Sequence, residues 1–420
     1  MKKTIAIVLA AGLGTRMNSD LPKVLHKVGA RSILSRIVDS LKEAGIEDIL
    51  IVVGFGAEAV KKEFSGQARF VHQVELLGSG DALKAAAGEI EASGAEKVVV
   101  ACGDTPLISS ATYRELRDMS EASGASCAVL TAEVGDPTGY GRIVRNGTGH
   151  VVRIVEEKDA GPAEKDIKEI NSGTYCFGVE DLLRFIGEIK RNEKKKEFYL
   201  TDIVDILVSK GRKVVAGTCT EREIAGVNSR KDIAAVNKVI NDKKINELMA
   251  SGVTITDPGT TSIDETAVIG RDTVIYPNTV IEKDVRIGGR CSIGPFARLR
   301  PGTDVSDNVE IGNFVEICRT SIASGTKVKH HTYLGDTRVG SDVNIGAGTI
   351  TANYDGGKKN ITEIGDGAFI GVGAILIAPV KVGAGSIVGA GSVVTKGRNV
   401  APGETVAGVP ARKLKTEKGA

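Results

Sequence analysis

From Ile263 onward an aliphatic residue returns at every sixth position, through Ile269, Ile275, Ile281, Ile287, Ile293, Leu299, Val305, Ile311 and Ile317. Four residues after each stands a mostly small side chain: Ala267, Thr273, Thr279, Val285, Cys291, Ala297, Thr303, Val309, Val315 and Ser321. After a slip of one residue the beat resumes at Ile322, Val328 and Leu334, then at Val339 and Ile345. The stretch Thr351 to Glu363 reads as an off-beat insertion, after which the ladder returns from Ile364 to Val406. A period of six fits neither the 3.6 of an amphipathic helix nor the 2 of a plain strand. It predicts a parallel β-helix, in which short strands stack coil on coil. The aliphatic residue points inward, the small one fills the corner, and each coil covers the apolar face of the next. At about 4.8 Å per coil, roughly eight coils make a rod on the order of 40 Å long.

Residues 1 to 227 carry a different rhythm. Strand candidates at Ile5–Leu9, Ile49–Val53, Val98–Ala101 and Cys127–Ala132 alternate with helical patterns at Ile33–Ala44, Gly80–Glu91 and Ser110–Ser123. Such alternation predicts an α/β domain with a mostly parallel sheet, whose ligands bind beyond the carboxyl ends of the strands. Residues 228–250 carry few breakers and predict a connecting helix, which Gly252 and Asp257-Pro258-Gly259 close. The β-helix then occupies residues 251–412, and 413–420 form a polar tail expected to fray.

A chain of 420 residues exceeds one ordinary core, in keeping with this division. A net charge of +2 argues against bulk nucleic-acid binding and gives no sign of attraction to a membrane surface. The run Lys190 to Glu197 mixes signs and predicts a solvated loop. Six cysteines without a C-x-x-C pair read as free thiols of a reducing cytosol. The apolar run Thr4 to Ala11 leads straight into a glycine-rich loop, which favours a buried strand over a signal peptide. No stretch approaches the ~20 apolar residues of a membrane span.

The first strand ends in Leu9-Ala10-Ala11-Gly12-Leu13-Gly14-Thr15-Arg16-Met17. Glycines there let the backbone bend tightly and offer N–H groups to an anion. Met17 stands where a dinucleotide fingerprint needs a third glycine, and the Gly-Lys-Ser/Thr of a P-loop is absent. Two permanent cations, Arg16 and Lys23, follow close behind the loop and favour phosphate. The buried run Val98 to Cys102 ends in Gly103-Asp104, a carboxylate placed to hold Mg²⁺ or to cap the next helix.

Leu9 to Leu25 resembles the signature of sugar-1-phosphate nucleotidyltransferases. Taken with the β-helix, the whole chain resembles the bacterial family that combines N-acetylglucosamine-1-phosphate uridylyltransferase with glucosamine-1-phosphate N-acetyltransferase. The resemblance implies a Rossmann-like nucleotidyltransferase domain, a left-handed parallel β-helix of hexapeptide repeats, and a supply of UDP-N-acetylglucosamine for cell-wall synthesis. It implies that Leu9, Ala10, Ala11 and Gly12 line the nucleotide, and that Gln73, Gly78 and Ser79 read the uracil. Cys102 and Gly103 would line the same site, with Cys102 where the family has Tyr. Gly141, Glu156, Asn171 and Thr201 would hold the sugar, and Asp104 and Asn228 would bind Mg²⁺. Lys23 and Arg16 would stabilise charge on the α-phosphate and on the departing pyrophosphate.

In the β-helix, polar residues gather where the ladder slips: Arg300, Glu316, and the run Lys329-His330-His331-Thr332-Tyr333. The resemblance makes His330 the base that takes a proton from the amine of glucosamine-1-phosphate as it attacks acetyl-CoA. Glu316 would orient His330. Arg300 and Lys359 would grip the sugar phosphate, and Tyr333, Asn344, Asn353 and Tyr354 would position the amino sugar and the acetyl donor. Ala347 and Ala390 would line the acetyl-CoA groove. The insertion would reach a neighbouring subunit in a cytoplasmic homotrimer. Cys318 stands where the family has a phosphate-binding Lys, with Arg319 next door, and Val372 stands where it has a Ser. Two other readings remain at this point. One keeps the uridylyltransferase alone, or uses another sugar or nucleotide, with an altered acyltransferase half. The other is a non-catalytic assembly subunit with both folds, which the presence of Lys23, Asp104, Asn228 and His330 disfavours.

Overall fold

The computed structural model describes residues 2–193 and 196–414. Two compact units divide the chain, Met1–Asn237 and Lys238–Ala420. The polar tail from 415 on, and Lys194 and Lys195 of the charged run, lie outside the described residues.

In the first unit a sheet runs in the order Val214–Thr218, Cys127–Glu133, Glu169–Gly178, Lys97–Cys102, Thr4–Leu9, Asp48–Val53, Arg69–His72. Neighbours are parallel, except that Glu169–Gly178 is antiparallel to both strands beside it. The apolar runs Ile5–Val8, Leu50–Val53 and Val98–Ala101 are wholly buried, as expected of parallel strands covered on both faces. Leu9 pairs with both Val52 and Cys102, so three strands end level. That register sets the loop after Leu9 beside Gly103-Asp104.

The helices Ile33–Glu43 and Ser110–Ser123 start at serine caps, Ser32 and Ser109, each accepting a backbone N–H of the first turn. The single helix expected over Gly80–Glu91 is instead two, Ser79–Ala85 and Ala87–Ala92. At the join the Ala86 N–H turns to Leu83 O, 3.1 Å away, in the tighter three-residue spacing, and Gly88 weakens the continuation.

The described residues of the charged run are exposed apart from the half-buried Asn192, as expected of a solvated loop, and the end of the run reaches a cleft. Glu197 lines the cleft at the strand tips, and Phe198 accepts a hydrogen bond from Gly80 N at 2.8 Å.

The second unit is a parallel β-helix. Among the described residues its faces are sheets of ten, eight and seven strands, most of them two residues long. The ladder pairs in register from coil to coil: Ile275, Ile293, Ile311, Val328, Ile345, Ile370, Val388 and Val406 form one column of a single core. Corner threonines bond the backbone of the next coil, as Thr273 does to Gly288 O and Cys291 N.

Two details of the ladder differ from the reading above. Ser321 is exposed and Thr320 fills its corner, because the coil from Ile317 to Ile322 is one residue short. Thr351 is on the beat, fully buried and inward, so the departure begins only at Asn353. The loop 353–361 then leaves the coil and returns at Thr362–Ile364.

Candidate functional site

In the first unit a cleft of about 370 Å³ opens at the strand tips. Leu9, Ala10, Ala11, Gly12, Lys23, Gln73, Gly78, Ser79, Cys102, Gly103 and Asp104 all line it. Gly14 folds the loop onto Lys23. Its φ is +60°, and a Cβ there would fall 2.7 Å from the Lys23 Cβ, so only glycine permits the approach. Gly103 similarly lies against Leu9 O, 2.6 Å from where a Cβ would stand.

The ammonium of Lys23 is 2.7 Å from Asp104 Oδ2 and 3.1 Å from Asn228 Oδ1. Arg16 Nη2 donates to the same Asn228 oxygen at 2.9 Å. Asn228 is set in place by Asp232, whose carboxylate accepts the Asn228 and Ser229 backbone N–H groups. A carboxylate and a carboxamide oxygen thus converge on one cation, a hard-oxygen donor pair that fits Mg²⁺ once phosphate oxygens complete it. Among the described residues no group of three or more His, Cys, Asp or Glu side chains could hold a metal by itself.

The residues expected to hold the sugar form a second cluster. Asn171 N donates to Gly141 O at 2.8 Å, and the Thr201 hydroxyl donates to Glu156 Oε1 at 2.9 Å. Burial pushes the Glu156 carboxyl above its ordinary value, with Asp159 and Glu197 adding and the Thr201 hydrogen bond opposing. Asp202, the first residue of the helix Asp202–Ser209, is pushed up to about 6 by burial, helped by Glu156, Asp205 and Asp159. Burial pushes the Cys102 thiol up to about 12, and Asp104 adds to it, so this sulfur is neutral and no nucleophile.

In the second unit one corner repeats down the rod. His331 N bonds to Asn313 O, Gly348 N to His330 O, Gly373 N to Ala347 O, and Gly391 N to Val372 O. Asn313, His330, Ala347, Val372 and Ala390 therefore occupy equivalent corner positions on successive coils. His330 ends the strand Lys327–His330 with its side chain exposed, and its Nδ1 lies 3.1 Å from Asn313 Oδ1. The next corner position stacks Phe296, Phe314 and His331, with ring centroids 5.2 and 5.0 Å apart.

Glu316 does not orient His330. Strand register sets Asn313 opposite His330 and Glu316 opposite Tyr333, and the Glu316 carboxylate is paired with Arg300 at 2.7 Å. At the following corner Arg319 forks onto Asp336 at 2.6 and 2.8 Å and touches Cys318 Sγ at 2.7 Å. The Arg319 guanidinium holds the Asp336 carboxyl below the usual range, against burial and with help from Asn353. Tyr333 and Asn353 close over Gly335, where an added Cβ would meet Tyr333 Oη at 2.5 Å and Asn353 Nδ2 at 2.6 Å. Tyr354 and Lys359 are exposed and pair across the loop. Asn344 stands on the neighbouring sheet, in register with Lys327 and Phe369, and the chain does not bring it to Tyr333.

Residues 6–171 match the MobA-like NTP transferase domain, and residues 266–301 and 361–396 match the bacterial transferase hexapeptide of six repeats. The "Bifunctional protein GlmU" of Pelotomaculum thermopropionicum is 47% identical over 410 residues, 90% of this chain and 90% of that protein. Its counterpart in Heliobacterium modesticaldum is 45% identical over 418 residues, 91% of each chain. The chain belongs to the GlmU family. It is accordingly a bifunctional transferase, with a nucleotidyltransferase half and a left-handed β-helical hexapeptide transferase half. Among the described residues no helix is long and apolar enough to cross a membrane.

Sequence reasoning missed some of what surrounds these GlmU-type sites. Leu13, Val24, Leu76, Ala82 and Glu197 also line the first cleft, and nothing in their local pattern marks them. Asn313 had a signal: it precedes His330 by 17 residues, one short coil of the ladder.

Proposed function

We propose that the first unit transfers the uridylyl group of UTP to N-acetylglucosamine-1-phosphate, and that the second acetylates glucosamine-1-phosphate from acetyl-CoA. The convergence of Asp104 and Asn228 on a cation, beside a glycine loop at level strand tips, carries the first half of this reading. A phosphate oxygen of the sugar attacks the α-phosphorus of UTP, and the bond to pyrophosphate breaks. Asp104 and Asn228 would hold Mg²⁺, which when bound neutralises phosphate oxygens. Lys23 exchanges its carboxylate partner for the α-phosphate, and Arg16, tethered to Asn228, meets the leaving pyrophosphate. No side-chain nucleophile is needed, and the neutral Cys102 thiol supplies none.

In the second unit the amine of the sugar attacks the thioester carbonyl and gives its proton to His330. The C–S bond breaks, and the proton held by His330 passes to the departing sulfur, so CoA leaves as the thiol and the ring is neutral again. Arg300, Lys359 and Arg319 supply positive charge for the sugar phosphate, and Ala347 and Ala390 keep the corner below His330 narrow for the acetyl donor. The loop 353–361 would complete the site of a neighbouring copy in a cytoplasmic homotrimer. Product and substrates are all small molecules.

The test supplies the protein with Mg²⁺, UTP, acetyl-CoA and glucosamine-1-phosphate and follows free thiol and pyrophosphate. Both should appear. His330→Ala should abolish thiol release while sparing pyrophosphate when N-acetylglucosamine-1-phosphate is supplied, and equal loss of both would contradict two separate sites. Cys318, at the position of the family's lysine, favours a second reading in which only the uridylyltransferase is retained. Pyrophosphate only from the acetylated sugar, with no thiol, would select it.

A further inference from the structure

We infer that Asn313 is a positioning residue for acetyl transfer, holding the His330 ring in the one tautomer that works as a base. The inference rests on the assignment of His330 as that base. Gly312 makes the arrangement possible. A Cβ at that position would fall 1.8 Å from Lys329 O, so only glycine lets the two coils approach closely enough to set Asn313 in register with His330. The Asn313 Oδ1 then stands 3.1 Å from His330 Nδ1. A carboxamide oxygen only accepts, so the proton of the neutral ring sits on Nδ1 and the lone pair is left on Nε2. His330 cannot slide away from this partner. Its carbonyl accepts the Thr332 hydroxyl at 2.7 Å, and the adjacent His331 ring is stacked on Phe314.

This arrangement serves both stages of proton transfer. Before it, Nε2 is unprotonated and free to accept the amine proton. After it, the imidazolium keeps its Nδ1–H bond to Asn313, which steadies the new charge. Without the carboxamide, the free ring can place its proton on Nε2 and turn a donor toward the substrate.

Full-length protein labelled with ¹⁵N-histidine is compared as wild type, Asn313→Leu and Asn313→Asp, with His330→Ala as the reference. The wild-type His330 resonances should show the Nδ1–H tautomer. In Asn313→Leu that signature should be lost, and kcat for thiol release should fall roughly 10²-fold, about the lower end of what a general base supplies. KM for both substrates should hold. Asn313→Asp keeps an oxygen in the same place and should recover most of the kcat.

If His330→Ala still releases thiol, the base assignment itself fails. If His330→Ala is dead while Asn313→Leu keeps wild-type kcat, the role of Asn313 alone is overturned. A loss confined to KM also overturns it. Should Asn313→Leu fail to fold, the wild-type spectrum decides, and an Nε2–H signature there overturns the inference.

Discussion

The ammonium of Lys23 sits 2.7 Å from Asp104 Oδ2, the carboxylate at the tip of a strand whose neighbour carries the glycine loop. The pair is only partly exposed, 14% and 27% by side chain, so neither charge is left to bulk solvent. Phosphate and a divalent cation can separate the two without moving the backbone, because Asp104 is anchored by its own carbonyl, which accepts Val227 N at 2.8 Å.

That anchoring separates function from folding. Asp104→Ala removes an oxygen proposed above to hold Mg²⁺ and leaves the backbone bond. It should lower pyrophosphate release by about 10²–10³-fold, the range for loss of one preorganised electrostatic group. The thermal melt should hardly move. Chelation of divalent cations should mimic it, and thiol release should survive both treatments. Full uridylyl transfer by Asp104→Ala would sink the metal assignment.

Asp202 sets a pH dependence. Its carboxyl rises from 3.8 to about 6 in the folded unit, with burial as the largest cause. The helix N-terminus at Asp202 favours the charged form, yet burial and the neighbouring carboxylates outweigh it. A raised native value means the folded state binds more protons than the unfolded chain within that window. Stability is therefore lost as pH climbs from 3.8 to about 6 and stays lost above. Asp202→Asn should raise the melting transition of the first unit by a few degrees at about pH 7 and by much less near pH 4. A gain of equal size at both pH values would refute the burial argument.

The fold was legible where a rule spans many residues. The six-residue ladder exposed the β-helix because Ile, Leu and Val repeat in it, and the strand tips followed from Val98 to Asp104. What escaped depended on single residues. Thr351 hid because an inward polar residue breaks a count of aliphatics, although its burial is complete. Ser321 was misplaced by one position because a shortened coil moves its corner to Thr320. Glu316 was assigned to His330 by the resemblance, which carries no register of this chain, and register sets Asn313 opposite the ring. In the first unit Gly14 and Lys23 were both noticed, but not that the glycine's missing Cβ is what lets them touch.

Thr351 gives the sharpest test of how the rod tolerates its loop. Backbone pairing between the strands Tyr333–Gly335 and Ile350–Ala352 is confined to Tyr333 and Ile350. Past that point the chain turns toward the loop at Asn353, and the ladder gives Gly335 no paired residue on the next coil. The Thr351 hydroxyl takes its place, accepting from Gly335 N at 2.8 Å within the core. Thr351→Val keeps the shape and adds apolar surface worth about 0.8 kcal/mol for a methyl-sized group. It also strands a buried donor, which costs roughly 1–3 kcal/mol. The second term wins, so the variant should unfold at lower denaturant with an unchanged slope, although aliphatic residues hold most inward positions of the ladder. Thr351→Ser retains the acceptor and should keep the Gly335 bond, losing only the packing of one methyl. A Thr351→Val protein as stable as wild type would mean that the Gly335 N–H finds water or another carbonyl, and that the hydroxyl is not what lets the coil close beside the loop.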